Sequence, residues 1–198
     1  MRYPIALTSF LLLAAASHAQ EISSAYTKLE PDQTCAVIDK AGEGDGDWAD
    51  LACSGYKGYP VLVRYGDARE SLFYGFPPQA GLPWESFAAF NSSGPTVEWR
   101  IEKEDGWERA LATIHRRFVA ANPEKPEAQI EVLVVSKVGQ LDARQGCVVG
   151  YVVATGNPGA NEKARHIADE KARTFNCGKD KPSVVSGSTP LPELSRSD

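Results

Sequence analysis

Four cysteines, Cys35, Cys53, Cys147 and Cys177, follow an N-terminal segment built like an export signal. Together these two features constrain the fold more than anything else in the chain. The segment begins Met1-Arg2-Tyr3, continues as an apolar stretch over 4–16 and ends Ser17-His18-Ala19-Gln20. A positive start, a short apolar core and a small-x-small cleavage site make a secretory signal over 1–19, cut after Ala19. The apolar core is shorter than the ~20 residues a membrane-crossing helix needs. No cysteine follows it and no arginine pair precedes it, so general secretion without a lipid anchor is expected. Outside the reducing cytosol, four cysteines are expected to form two disulfides.

Four cysteines allow three connectivities, and spacing alone leaves all three open. The pairing expected is Cys35–Cys53 with Cys147–Cys177. The first would close a segment between two short strand-like runs, and the second would tie a strand to the end of the following helix. Each loop would stabilise the fold by ~3 kcal/mol on a chain-entropy basis. No C-x-x-C motif occurs, so neither a redox pair nor a zinc site is expected.

Loss of 19 residues from 198 leaves 179, enough for one domain with a substantial core. Arg2 is the only charged residue lost, which leaves 20 basic against 26 acidic residues, a net −6. That balance attracts neither nucleic acid nor an anionic membrane. No second apolar stretch is long enough to span a bilayer.

The first half reads as a meander of short antiparallel strands over 35–38, 48–53, 59–65 and 71–74. The glycine-rich segments 42–47 and 54–58 form its turns. Prolines break the chain over 76–83, and 84–90 reads as a short helix. In the second half, 96–103 alternates cleanly. Val97, Trp99 and Ile101 point one way, while Glu98, Arg100 and Glu102 point to a wet face. Residues 110–118 form a strand with Ala110, Ala112, Ile114 and Phe118 on one face, interrupted by Arg116. The β-branched runs 130–138 and 147–154 read as central strands. A helix follows over 160–176, with Ala160, Ala164, Ile167, Ala168, Ala172 and Phe175 on one side. Glu162, Lys163, Arg165, Asp169, Glu170 and Arg173 fill the other side. Gly178 stops it.

The expected fold is therefore α+β, an antiparallel meander of five to eight short strands with one C-terminal helix packed on it and two disulfides. One domain spans 20–178, and 179–198 reads as a disordered tail.

Gly55-Tyr56-Lys57-Gly58-Tyr59-Pro60-Val61, Val97-Glu98-Trp99-Arg100, Ala112-Thr113-Ile114, Leu133-Val134-Val135 and the helix from Asn157-Pro158-Gly159 through Ala172 resemble a family of small exported proteins. The family is of Gram-negative, alphaproteobacterial type and has no assigned activity. The four cysteines fit its pattern. The resemblance covers most of the mature domain, implies periplasmic residence and carries over no catalytic residue.

Candidate sites are sparse. His115-Arg116-Arg117, beside Arg100, offers an anion-binding or protein-docking patch, or else a solvated strand face balanced by Glu98 and Glu102. Tyr56, Tyr59, Tyr65, Phe73 and Tyr74 crowd the Gly55–Gly58 turn and suit partner recognition, unless they fill the core. His166 lies between Glu162 and Glu170 but has no second histidine at i+4. Asp45, Asp47 and Asp50 have part of a calcium-loop spacing without its closing glutamate. Glu98 and Glu102 would stand ~13 Å apart along a strand, too far for paired carboxylate chemistry. No nucleophile-elbow, phosphate-loop or zincin motif occurs, and no cofactor is expected.

The function expected is a non-enzymatic, exported binding or envelope-associated protein, with Tyr56, Tyr59, Arg100, His115 and Arg117 as candidates for touching an unknown protein partner. One alternative is an inhibitor of a secreted enzyme such as lysozyme, from the loosely similar Ser54-Gly55-Tyr56-Lys57-Gly58. The other is a hydrolase using His115 or His166.

Overall fold

The computed structural model describes residues 21–104, 106–122 and 125–197, so the expected signal 1–19 lies outside the described residues. In chain order the elements are β1 (Glu21–Lys28), α1 (Pro31–Thr34), β2 (Cys35–Lys40), β3 (Trp48–Cys53), β4 (Val61–Gly66), β5 (Arg69–Tyr74) and β6 (Trp84–Phe87). There follow β7 (Asn91–Glu104), β8 (Trp107–Asn122), β9 (Lys125–Lys137), β10 (Cys147–Val153), α2 (Ala160–Lys171), β11 (Ser183–Val185) and β12 (Leu194–Ser197).

The strands form three sheets. The largest runs β1-β7-β8-β9-β10-β11, the second β2-β3-β4-β5, and β12 pairs with β6 as a two-stranded third. All pairings between these strands are antiparallel except β10 with β11. The short-strand meander is the second sheet. The helix does not pack on it. Instead α2 lies on the long-strand sheet, where Ala164, Ile167, Ala168, Ala172 and Phe175 meet Ala112, Ile114, Leu133, Val135, Val149 and Val152. Small alanines let the helix come close, which is why an alanine stripe suffices for this layer.

The other face of the same sheet carries the second layer. Val97, Trp99 and Ile101 of β7 pack against Val61, Val63, Leu72 and Tyr74. Farther along, Phe87 of β6 and Leu194 of β12 cover Val119, Val132, Val148 and Tyr151. The long-strand sheet is thus the middle of three layers. Both disulfides have the expected pairing. Cys35–Cys53 links residues directly opposed in the β2–β3 register, and Cys147–Cys177 ties the start of β10 to the turn after α2. No helix among the described residues is long and apolar enough to cross a membrane. That and the disulfides are consistent with an exported chain.

Four expectations are corrected. Residues 84–87 are a strand, because β12 supplies a ladder partner more than a hundred residues away that no local pattern reveals. The stretch read as a disordered tail carries β11 and β12, and Leu191 and Leu194 pack on the third cluster, so the fold runs past 178. Ala110 faces the meander layer while Ala112 faces α2, since a bulge between Arg100 and Ile101 shifts the β7–β8 register. Finally, the polar face of β7 is dry: Glu98 and Arg100 are buried, and Glu102 is fully so.

Gly55 is required by close approach. A Cβ there would lie 2.2 Å from the Tyr59 carbonyl oxygen and 2.8 Å from the Trp99 ring.

Candidate functional site: a groove beside the Cys147–Cys177 disulfide

The residues expected to dock a partner are mostly interior. His115, on β8, is fully buried. Its Nε2 lies 2.6 Å from the Gly94 carbonyl and its Nδ1 2.8 Å from the Tyr74 hydroxyl. A carbonyl only accepts, so Nε2 carries the proton and Nδ1 accepts from Tyr74. Desolvation, reinforced by the Arg117 charge, lowers the His115 pKa to about 4, so the ring is neutral. Burial likewise pushes the Tyr74 phenol up. Arg117 is buried beside it and donates to the Glu70 carbonyl at 2.9 Å and to the Asn91 side chain. Its salt bridge to the Glu70 carboxylate is 3.4 Å. These groups brace β5 against β8 and present no exposed patch, which corrects that reading of His115 and Arg117.

Arg100 belongs to a separate charged array under α2. Its Nε and Nη2 donate to the two Asp169 oxygens at 2.8 and 2.7 Å. Arg165 donates to Glu98 at 2.7 Å. Glu102 accepts from Arg109 at 2.6 Å and from Arg173, in the turn after the helix. Arg100 is therefore also no docking residue. The tyrosines divide similarly. Tyr56, Tyr59 and Tyr74 surround Trp99 with ring centroids 6.2, 6.4 and 6.1 Å away. Tyr56 and Tyr59 are half-buried, with hydroxyls on Glu108 and Gln140. Phe73 is buried, and the Tyr65 hydroxyl donates to Asp47. The aromatic group is chiefly core.

His166 is exposed and 3.2 Å from Glu170. Asp50 pairs with Arg64 at 3.5 Å, while Asp45 and Asp47 are exposed. Among the described residues, no three His, Cys, Asp or Glu side chains converge as metal ligands.

A concavity with apolar walls lies elsewhere. A groove of about 670 Å³ runs between the 78–85 segment and the 178–182 loop. Its floor is Gly146, Val148 and the Cys147–Cys177 disulfide, and Phe175, Leu82, Pro83 and Trp84 supply apolar walls. The 78–85 wall is pinned to the meander sheet: Arg64 donates to the Leu82 carbonyl at 3.1 Å, and the Glu85 amide donates to the Ser71 hydroxyl at 2.9 Å. Glu85 then joins three segments, accepting from the Val148 amide at 3.0 Å and from Arg196 at 2.7 Å. Asp180 accepts from the Asn176 amide at 2.8 Å. Lys179 and Lys181 line the groove, exposed, and among the described residues have no ion pair or side-chain hydrogen bond.

Sequence reading misses this site because one wall reads as a proline-rich connection running into a short helix at Trp84, and the other as the start of a tail. The available signal was Trp84 directly after Pro83, together with a lysine pair closed by Pro182 just beyond Cys177. Comparison with protein-family models, curated proteins and solved structures gave no match.

Proposed function

We propose that this chain is a periplasmic, non-enzymatic binding protein whose ligand lies in the groove between 78–85 and 178–182. The groove itself carries the reading. Its volume of about 670 Å³ is within the range of ligand sites, and apolar walls with a few charged groups are their usual lining. Two lysines there have no partner among the described residues, although the chain as a whole is acidic. His115 and Arg117 are engaged with Tyr74, Gly94, Glu70 and Asn91, and Glu102 with Arg109 and Arg173, which supports a non-catalytic role, because each group holds elements together. The export-type N-terminus and the two disulfides support periplasmic residence.

A photo-crosslinking residue placed at Ala80, in the groove, tests this against the same residue at Lys40, on the exposed edge strand β2. In Gram-negative envelope extract, the expected result is a saturable adduct of defined mass at 80 and none at 40. Equal labelling of both positions, or no adduct at 80, overturns the reading.

A further inference from the structure

We infer that the groove selects an anionic amphiphile, a single-chain molecule with an apolar body and a carboxylate or phosphate head. This rests on the groove being a binding site and adds the chemistry of what it takes. The argument is a count of what the lining can offer. Glu85 and Asp180, the groove's two carboxylates, are both engaged, Glu85 by Val148 and Arg196 and Asp180 by Asn176. Arg196 is neutralised by Glu85. Asp180 keeps its charge, because an amide donor does not neutralise a carboxylate, so Lys179 and Lys181 leave this loop one net positive charge; both are donors only and, among the described residues, have no ion pair.

Backbone groups add little. Pro78, Pro83 and Pro182 have no N–H. The Pro78, Leu82 and Pro83 carbonyls already accept from Gly81, Arg64 and Ser71. A polyhydroxylated sugar needs acceptors as well as donors, and an added peptide strand needs alternating free backbone groups. With the Pro78, Leu82 and Pro83 carbonyls taken, both needs are poorly served along this wall. An apolar chain has no such demand. It gains by covering Leu82, Pro83, Trp84 and Phe175, while its anionic head meets the two lysines.

Calorimetric titration of the oxidised protein with dodecanoate and dodecyl phosphate, both below their micellar concentrations, tests this against dodecyl maltoside, which shares the tail but has a neutral head. The anionic probes are expected to bind, and the double variant Lys179→Gln/Lys181→Gln to weaken them by about tenfold or more. Both lysines are exposed and unpartnered, so the variant keeps its fold, which circular dichroism checks. Trp84→Ala is expected to weaken them through the tail. Equal binding of dodecyl maltoside, or unchanged affinity in the double-lysine variant, overturns the assignment. So does binding of neither anionic probe. If an adduct still forms at position 80 in that case, the groove remains a binding site and only the ligand class falls. Displacement of the adduct by a glutamate-rich peptide would give the same division.

Discussion

On one face of β7, Val97, Trp99 and Ile101 sit against the meander layer; on the other, Glu98, Arg100 and Glu102 sit against α2. Both faces are buried, by opposite chemistry. The apolar face gains from removing hydrocarbon from water, roughly 1.5–3 kcal/mol for a fully buried large side chain. It tolerates small slips, because that attraction has no direction. The charged face is a ladder of alternating sign, minus-plus-minus on the strand, met by plus-minus-plus at Arg165, Asp169 and Arg173. The spacings agree. Four strand residues cover ~13 Å, and the eight-residue step from Arg165 in α2 to Arg173 in the turn after it covers ~12 Å at helical rise. Buried ion pairs contribute little net stability, since desolvation offsets attraction. We read the ladder as fixing where the helix lies along the sheet: displacing α2 by one turn sets like charges together.

Four measurements would break or sharpen that contrast. Trp99→Ala, on the apolar face, should cost about 4 kcal/mol in denaturant unfolding, because the indole is fully buried and bonded through Nε1 to Thr27 at 2.8 Å. A loss below about 1 kcal/mol would mean the meander layer collapses around the cavity. Glu102→Leu, on the charged face, should cost about 3 kcal/mol by leaving Arg109 and Arg173 without their anion. Adding Arg173→Leu should recover part of that, and no recovery would show that the ladder is not pairwise.

The third measurement concerns pH. The folded His115 pKa of about 4 lies below the ordinary imidazole value of 6.5, so between these values the unfolded chain holds more protons than the native one. Stability should therefore be complete above pH ~6.5 and fall by roughly 3 kcal/mol toward pH ~4. His115→Gln should remove that slope, and a slope unchanged by it would assign the loss to carboxylates. Smallest of the four, Arg165→Ala at the partly exposed end of the ladder should cost about 1 kcal/mol, less at high salt.

Much of the fold was legible because its signals are local. The alternation over 96–103, the β-branched runs over 130–138 and 147–154 and the helical stripe from Ala160 all mark the right elements. The cysteines lay where strand and helix ends bring them together. What failed depended on distant partners. A strand at 84–87 is too short to identify without β12. Glu98, Arg100 and Glu102 read as solvated because alternation reports a change of polarity, not exposure; matching them to the i, i+4 series Arg165, Asp169, Arg173 was the missing step. The candidate docking residues were chosen as charged or aromatic side chains on presumed surfaces, and three of the five are interior. The groove joins two segments about a hundred residues apart, neither with a periodic pattern.

The pairing of β6 with β12 also sets an order of events. Leu194 meets Phe87 and Ser197 meets Trp84, so this ladder closes one of the longest loops in the chain. Such a closure is entropically costly until the intervening strands have condensed. The β7–β8–β9 hairpins and the Cys147–Cys177 crosslink can form first and bring the two ends near. The groove, lined by Trp84 of one strand and Arg196 of the other, is then among the last parts of the molecule to take shape, and a chain truncated before residue 194 would have a core but no finished groove.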